Sequence, residues 1–306
     1  MKTDGVGECT TGVPSEAVDV SIVICTRNRV ASLSRLLESL RNAAAGWTMK
    51  WELVVVDNGS RDATAELLTR TLKEGWASFK LVDAPRAGIS RAKNRGIAEA
   101  RGEVLAFTDD DCLVTPEWLT EILRPFHEDP DVGLVGGGSE LADPSLFPHG
   151  VRTSRVPMTY RWPTDPWFAA GNNLAIRASA LRRVGGFDTR FGPGTRVHGA
   201  EDNELIYRLL RAGYAARFVP AALVYHDHGR SDSELWAIRR NYTVGTGAFF
   251  AKYALHGDLY AAKMAYRQVR ALLFGKMSAE RQIPDRGTIL RAMAAGAFRR
   301  VLHLDR

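Results

Sequence analysis

The sequence predicts an α/β protein built on a mostly parallel sheet with helices on both faces. Short apolar runs alternate with helical patterns through the first part of the chain, which is typical of consecutive strand–helix units. The 306 residues are enough for one large domain of this class or for two small ones. Hydrophobic residues make up 45% and charged residues 25%, so disordered, collagen-like and disulfide-stapled chains are excluded.

The alternation begins near Asp19 and runs strand, helix, strand without a break. The predicted strands cover residues 20–25, 53–56, 79–82 and 104–107. The predicted helices between them cover residues 32–43, 63–73 and 90–100. Open α/β sheets bind ligands at the carboxyl ends of their strands, so functional residues are expected in the loops at residues 26–29, 57–62, 85–94 and 109–111.

The remainder of the chain predicts a second lobe and a helical extension. A helix from Pro116 to about Phe126 precedes strands near residues 132–135, 168–176 and 217–225. Residues 1–18 lack periodicity and predict a disordered lead-in, whereas the pattern from Glu234 onward is helical. The expected divisions are therefore residues 1–18, 19–230 and 231–306, the last being a basic, helical C-terminal extension.

The basic charge of the chain is concentrated in this C-terminal extension. The net charge is +6, and residues 232–306 hold 13 of the 41 Lys and Arg but 6 of the 35 Asp and Glu. Apolar residues recur there at helical spacing, namely Leu259, Ala262, Tyr266, Val269 and Leu273. Basic residues lie on another face of the same helix, namely Lys263, Arg267 and Arg270. Such a tail favours an anionic membrane surface or an acidic partner over nucleic acid. A homodimer interface, a covering over the second lobe and a solvated basic face are the alternatives.

Cysteine usage and hydropathy bear on the location of the protein. The three cysteines are an odd number without CxxC spacing, which favours a reducing compartment. The N-terminus lacks the apolar core of a signal peptide, and no run approaches the roughly 18 apolar residues of a membrane span. The sequence therefore predicts a cytoplasmic protein, with peripheral contact at the inner membrane face as a further option.

Three consecutive carboxylates, Asp109, Asp110 and Asp111, follow a predicted strand directly. Like charges raise one another's pKa, and a hard divalent ion held by carboxylates and phosphate oxygens relieves that repulsion. The segment therefore indicates a site for Mg²⁺ or Mn²⁺. The structural alternative is a solvated acidic turn before the helix at Pro116.

Two earlier loops have the composition of a nucleotide site. Asp57 and Gly59 follow the second strand. A carboxylate there can accept a hydrogen bond from a ribose hydroxyl or from the N–H of a base, and glycine lets a ligand approach the backbone closely. Thr26, Arg27 and Arg29 follow the first strand and offer guanidiniums to an anionic nucleotide. An ordinary Asn-Gly turn explains the loop after the second strand equally well, and a solvated basic turn explains the loop after the first. The chain has neither the Gly-rich dinucleotide fingerprint nor a P-loop.

Acidic and imidazole side chains recur in the second half of the chain. Glu201 and Asp202 begin a predicted helix beside a Gly/Pro-rich loop, which would suit a base that takes a proton from an acceptor hydroxyl. Acids at a helix N-terminus are also stabilising without any catalytic role. His226 and His228 alternate at a strand end and project on one side, so one could complete a metal site, although such a pair is more often a packing feature.

In this order along one chain, the motifs resemble the family 2 glycosyltransferases, a nucleotide-sugar-dependent group with the GT-A fold. The resemblance covers about residues 19–230 and rests on segments 20–29, 54–60, 88–91 with Asn94 and Gly96, 109–111, 171–173, 185–188 and 201–202. It implies a GT-A domain over residues 19–230, with a nucleotide half to about residue 111 and an acceptor half after it. Residues 109–111 correspond to the family's DxD motif and residues 201–202 to its ED motif.

The resemblance also implies roles for individual residues. Those assigned to the nucleotide are Thr26, Arg27, Arg29, Asp57, Gly59, Arg91, Asp109 and Asp110, with Arg91 near the diphosphate. Those assigned to the metal, Mg²⁺ or Mn²⁺, are Asp111, Asp109 and His226. Asp202 is the implied catalytic base, with Glu201 beside it.

The implied reaction is a metal-dependent, inverting transfer of one sugar from a UDP-, GDP- or dTDP-linked donor to an acceptor hydroxyl. No QxxRW motif follows the ED pair, which disfavours processive synthesis. The acceptor is lipid-linked or a small molecule, with contacts expected from residues 142–167, including Tyr160, Trp162 and Trp167, and residues 192–198 form a candidate lid. The alternatives are a retaining glycosyltransferase on the same fold, a nucleotidyltransferase, and a non-catalytic nucleotide-sugar or carbohydrate-binding protein.

Overall fold

The computed structural model describes residues 17–76, 78–229, 232–274 and 286–301. The predicted lead-in at residues 1–18 lies outside these ranges except for its last two residues. The strands are β1 (Val20–Thr26), β2 (Trp51–Asp57), β3 (Phe79–Asp83), β4 (Val104–Asp109), β5 (Cys112–Val114), β6 (Val132–Leu141), β7 (Met158–Tyr160), β8 (Asn173–Arg177) and β9 (Ala215–His226). The helices are α1 (Val30–Ala44), α2 (Thr64–Lys73), α3 (Ile89–Glu99), α4 (Trp118–Glu128), α5 (Ala178–Val184), α6 (Glu201–Arg211), α7 (Asp232–Ala254), α8 (Leu259–Phe274) and α9 (Arg286–Val301).

The strands form one mixed sheet in the order β3-β2-β1-β4-β8-β6-β9-β5, with β7 paired to β9. Strands β3, β2, β1 and β4 are all parallel, as the alternation of strands and helices predicts. Strand β8 is antiparallel to both β4 and β6, while β6 and β9 are again parallel. The α/β class with helices on both faces of the sheet is confirmed.

The strands after β4 extend the same sheet, whereas the sequence predicted a second lobe. Strand β8 lies directly beside β4, with Leu174 opposite Phe107 and both side chains buried. The predicted strand at residues 168–176 is shorter than expected, because Pro166–Phe168 forms a 3₁₀ turn and the N–H of Asn173 bonds to the carbonyl of Ala170. The extended conformation therefore begins only at β8.

Two helices show how the sheet is covered. On one face, α1 buries Leu33, Leu36 and Leu40, whose three- and four-residue spacing puts them on one side of the helix. On the other face, α3 lies close to the sheet because Gly96 occupies a place where any side chain would overlap Val23 of β1. This close approach brings the N-terminal half of α3 to the carboxyl end of the sheet.

The C-terminal helices share a core with the rest of the chain. Phe249 of α7 packs edge-on against Tyr207 of α6 with ring centroids 5.1 Å apart, and against Trp167 at 5.5 Å. Helix α9 crosses α7 closely, since Gly296 lies against the carbonyl of Val244 with no room for a side chain. The extension is therefore packed onto α6 rather than separate from the domain.

A buried network of charges joins α7 to α6. The Glu204 carboxylate is fully buried and accepts hydrogen bonds from Arg208 Nε at 2.9 Å, from Tyr253 Oη at 2.7 Å and from Lys252. Lys252 Nζ also donates to Asp188 at 2.9 Å. Burial opposes the charge on both carboxylates, yet Arg208 and Lys252 hold the pKa of Glu204 below its ordinary value, and Arg190 with Lys252 does the same for Asp188.

Helix α8 exposes much of the face predicted to be apolar. Leu259, Tyr266 and Leu273 are exposed, whereas Ala261 and Met264 are buried against the core that α8 shares with α7 and α9. Two apolar stripes with the same helical period exist on this helix, so periodicity alone cannot tell which one packs. Within the described ranges, no helix combines the length and the apolar character needed to cross a bilayer.

We expect Lys252→Met to lower the free energy of unfolding by about 2 kcal/mol at neutral pH, because Glu204 and Asp188 each lose a cation. Denaturant unfolding measures this loss. Since the native pKa of both carboxylates is depressed, the stabilisation is present above their ordinary pKa and is lost as the pH falls through the native values, so the difference shrinks in acid. The control is Lys263→Met on the exposed side of α8, and an equal loss in both variants would contradict the prediction.

Candidate active site

A cleft of about 550 Å³ lies at the carboxyl ends of β1 and β4, beside the N-terminus of α6. It combines loops from the two halves of the sheet, as expected for ligand sites in open α/β sheets. The predicted site residues that line it are Thr26, Arg27, Arg29, Asp109, Asp110, Asp111, Glu201, Asp202 and His226.

The first wall of the cleft is the end of β4, where three carboxylates crowd together. Thr26 Oγ1 donates to Asp110 at 2.8 Å, and Arg29 Nη1 donates to Asp111 at 2.5 Å. Burial raises the pKa of Asp110 to about 7. Burial also raises the pKa of Asp109, with a further contribution from the charge of Asp111. Arg29 therefore neutralises this wall only in part.

His226, at the end of β9, lies beside Asp111. Its Nε2 is 3.3 Å from Asp111 Oδ1, and its Nδ1 is 3.0 Å from the carbonyl oxygen of His149. Because a carbonyl can only accept, Nδ1 carries a proton and Nε2 faces the carboxylate. Burial opposes charge on the imidazole, but the hydrogen bond and charge of Asp111 outweigh it and raise the pKa of His226. Asp227 points away and pairs with Arg35 at 2.7 Å, as strand alternation predicts.

The donor set here suits a hard divalent cation. Asp109, Asp111 and His226 offer carboxylate oxygens and an imidazole nitrogen, which Mg²⁺ or Mn²⁺ accepts. Across the described part of the chain, no three His, Cys, Asp or Glu side chains already converge as a metal cluster. The guanidinium of Arg29 lies on Asp111 instead. The residues therefore fit a divalent ion once Arg29 has left Asp111.

The second wall is the first turn of α6, where Asp202 faces the cleft. Its Oδ1 accepts a hydrogen bond from Lys93 Nζ at 2.7 Å, and the lysine side chain is only 5% exposed. Gly171 leaves room for the carboxylate, because a methyl group there would overlap it. Glu201 is buried, and burial together with the charge of Asp202 raises the pKa of Glu201 to about 7. Asp202 is thus the more accessible of the two acids.

Three residues that the resemblance assigned to the nucleotide do not line the cleft. Asp57 accepts the backbone N–H of Ser60 at 2.8 Å, and Gly59 adopts φ 76° in the same turn. Arg91 is exposed on α3 and donates to the carbonyl of Ala87 at 3.3 Å. Their contacts with a nucleotide stay predictions.

Asn58 and Lys93 lie in segments expected to be functional but were assigned no role, and both line the cleft beside the selected residues. Lys93 lies two positions after Arg91, on the face of α3 that also buries Ala92 and Gly96. A lysine on the buried face of an amphipathic helix requires a counter-charge, and that is the signal which could have identified it.

Of the three aromatic residues expected to meet an acceptor, Trp167 lines the cleft. Tyr160 instead stacks on Phe168 with ring centroids 4.0 Å apart. Trp162 packs against Tyr207 at 5.2 Å. The latter two therefore serve packing in this arrangement.

The C-terminal extension and the predicted lid both reach the cleft. Tyr242 and Thr246 of α7 line it, and the Tyr242 ring stacks on His149 at 5.6 Å. Pro193 and Gly194, from the loop expected to form a lid, also line it. The contribution of α7 was not predicted, because an isolated helical pattern gives no indication of which domain surface it will cover.

The fold is that of the GT-A glycosyltransferases, and two solved structures superimpose on the chain. A mannosyltransferase from Pyrobaculum calidifontis in complex with GDP-Man and Mn²⁺ aligns with a TM-score of 0.62 at 19% identity, over 94% of this chain and 88% of that one. Staphylococcus aureus TarS in complex with UDP-GlcNAc aligns with a TM-score of 0.58 at 15% identity, over 92% and 82%. At these identities the likeness shows the fold.

The chain belongs to glycosyl transferase family 2, whose model matches residues 21–185; the model of glycosyl transferase family group 2 matches residues 104–295. Pre-mycofactocin glycosyltransferase of Mycobacterium tuberculosis is 30% identical over 239 residues, which is 75% of this chain and 47% of that protein. The succinoglycan biosynthesis protein ExoM of Rhizobium meliloti is 26% identical over 266 residues, 82% of this chain and 78% of that protein. The chain thus spans about half the length of the first relative, and the predicted family is confirmed.

We expect Lys93→Met to lower the free energy of unfolding by about 3 kcal/mol, because Asp202 and its neighbours Glu201 and Asp109 would face one another without the buried cation. Lys93→Arg keeps the charge and should retain more of the stability. Arg91→Met, two residues away and exposed, serves as the control and should change stability by less than about 0.5 kcal/mol in the same urea titration. Equal losses for Lys93→Met and the control would contradict the ion pair's role.

Proposed function

We propose that the chain is an inverting, non-processive glycosyltransferase that moves one sugar from a nucleotide-diphosphate sugar to an acceptor hydroxyl, with Asp202 as base and Mg²⁺ or Mn²⁺ as cofactor. The observation that carries the proposal is the pairing of two acidic walls in one cleft. Asp111 and His226 lie on one wall, and Asp202, held by Lys93, lies on the other. Such a transfer needs a cation-binding group for the departing diphosphate and a base for the incoming hydroxyl.

The donor nucleotide is proposed to lie over the ends of β1 and β4. Thr26, Arg27 and Asn58 line the cleft there and offer a hydroxyl, a guanidinium and an amide to the nucleoside and phosphates. The structures of similar fold contain GDP-Man in one case and UDP-GlcNAc in another, which supports a nucleotide-sugar donor without selecting the base.

The divalent ion is proposed to be held by Asp109, Asp111 and His226, which line the cleft together. The Mn²⁺ in the mannosyltransferase complex supports the use of a divalent ion. When bound, such an ion stabilises the negative charge that develops on the leaving diphosphate. Arg29 contacts Asp111 and its side chain is 31% exposed, so it can exchange that carboxylate for a donor phosphate. Arg29 is thus proposed to pair with an acid before the donor binds and with a phosphate afterwards.

Asp202 is proposed to take the proton of the acceptor hydroxyl, whose oxygen attacks the anomeric carbon opposite the nucleotide. The new glycosidic bond forms as the bond to the diphosphate breaks, so the configuration inverts. Lys93 fixes one oxygen of the carboxylate by a hydrogen bond, and Gly171 leaves space around the group. A base held in this way keeps its orientation when the acceptor arrives.

The acceptor could reach the cleft from solution or from a membrane surface. On α8, the exposed Leu259, Tyr266 and Leu273 lie among exposed basic residues that include Lys263 and Arg270. Apolar side chains interspersed with basic ones support peripheral contact with an anionic, cytoplasm-facing membrane, where lipid-linked acceptors are found. A homodimer contact through the same extension is the alternative.

Nucleotide binding gives the first test of the proposal. We expect one of UDP, GDP and dTDP to raise the melting temperature when Mn²⁺ is present, by the equivalent of about 2.7 kcal/mol at a hundredfold excess over Kd. Asp111→Asn should abolish the metal-dependent part of the rise. The control is Asp227→Asn, which alters an acid that pairs with Arg35 and faces away from Asp111. This variant should keep the metal-dependent rise in melting temperature. No shift with any of the nucleotides would contradict a donor site.

Turnover and stereochemistry test the role of the base. We expect Asp202→Asn to lower the transfer rate by about 10²–10⁴-fold while the Kd for the nucleotide stays within a few-fold, because a general base acts on the acceptor proton. Proton NMR of the first product formed by the unmodified chain should show the anomeric configuration opposite to that of the donor. Undiminished turnover in the variant would exclude Asp202 as base, and a retained configuration would exclude a single displacement.

A further inference from the structure

Arg152 is a cation in the cleft wall for which the described residues supply no carboxylate partner. Its Nη1 donates to the carbonyl of the adjacent Val151 at 2.9 Å, and its Nη2 donates to the carbonyl of Ala169 at 3.4 Å. Its Nε is buried without a hydrogen-bond partner, and burial lowers the pKa of the guanidinium. A desolvated charge that lacks a counter-charge is costly, so such a group needs a functional explanation.

The other buried or half-buried cations of the cleft are matched to acids. Arg29 contacts Asp111, and Lys93 contacts Asp202. Arg152 alone among these three has carbonyl oxygens as its only described partners. The positive charge of Arg152 is therefore available to an anion that enters the cleft.

The location of Arg152 indicates which reactant brings that anion. Arg152 hydrogen-bonds to Ala169, and the segment from Ala169 runs through Gly171, which lies against the Asp202 carboxylate. Asn172, the next residue, has a buried Oδ1 without a partner. Arg152 and Asn172 thus flank the segment that contacts the proposed base, and the base lies where the acceptor hydroxyl must bind.

We infer that Arg152 forms a subsite for a carboxylate or phosphate group of the acceptor, so that the acceptor is an anionic sugar or a glycosyl phosphate. The inference rests on the proposed function and specifies its acceptor. The guanidinium donates to the anion, and Trp167 offers a flat apolar surface to the sugar ring. The donor diphosphate is the other anion that could bind Arg152. The test must therefore distinguish binding of the donor from binding of the acceptor.

The test compares pairs of glycosides in which one member carries an anionic group that the other lacks. Saturation-transfer NMR measures the affinity of the unmodified chain for 4-nitrophenyl glucuronide against 4-nitrophenyl glucoside, and for glucose 1-phosphate against methyl glucoside. We expect each anionic member to bind at least about tenfold more tightly, as charge-assisted hydrogen bonds do. Arg152→Gln should remove this preference and Arg152→Lys should restore part of it. The control is Arg155→Gln, which changes an arginine three residues away that is 71% exposed and pairs with Glu140.

A parallel titration with the nucleoside diphosphate and Mn²⁺ separates the two sources of the anion. A Kd for the nucleotide that stays within about twofold in Arg152→Gln, with the glycoside preference lost, supports the acceptor subsite. A loss of nucleotide affinity instead would place Arg152 at the donor diphosphate and overturn the inference, as would an equal affinity of the unmodified chain for charged and neutral ligands. The comparison of charged with neutral ligands uses the unmodified chain. It therefore still tests the inference if Arg152→Gln folds poorly. If the unmodified chain binds no nucleotide yet prefers anionic glycosides through Arg152, the proposed function fails and the subsite stands.

Discussion

Electrostatic repulsion in the cleft is the constraint on which the rest of the site depends. Five carboxylates line this one cavity, contributed by Asp109, Asp110, Asp111, Glu201 and Asp202. Arg29 contacts Asp111 on one wall and Lys93 contacts Asp202 on the other, and the imidazole of His226 also lies beside Asp111. Burial, with a further contribution from neighbouring carboxylates, raises the pKa of Asp110 and that of Glu201 to about 7, so both acids resist losing their protons. Such a cleft is favourable for a further cation and for the phosphates that accompany it.

The two walls come from distant parts of the chain, and close packing brings them together. Gly96 lets α3 lie close to β1, which carries Lys93 to the end of the sheet, and Gly171 leaves space for Asp202. The C-terminal extension holds the helix that bears Asp202, because Lys252 of α7 is bonded to the buried Glu204 of α6. Residues 232–274 are thus structurally coupled to the site, and α7 lines part of it.

Much of the fold and of the cleft could be predicted from the sequence, since both depend on local patterns. The alternation of strands and helices identified β1 to β4, and the polar residues after those strands identified the cleft, including Thr26 and Asp111. Burial and long-range contact were harder to predict. Arg91 and Lys93 are two residues apart, and only helix packing determines that Lys93 faces the acids while Arg91 faces solvent. The same limit explains the face of α8 that packs, the place of α7 beside the cleft, and the extension of one sheet where a second lobe was expected.

The most direct test is a crystal structure of the chain with a nucleoside diphosphate and Mn²⁺, in which anomalous scattering locates the metal. We predict Mn²⁺ held by Asp109, Asp111 and His226, with Arg29 turned from Asp111 to a phosphate and Lys93 still bonded to Asp202. Mn²⁺ bound elsewhere, with the pair between Arg29 and Asp111 intact beside a bound nucleotide, would contradict a metal–nucleotide site at the end of β4.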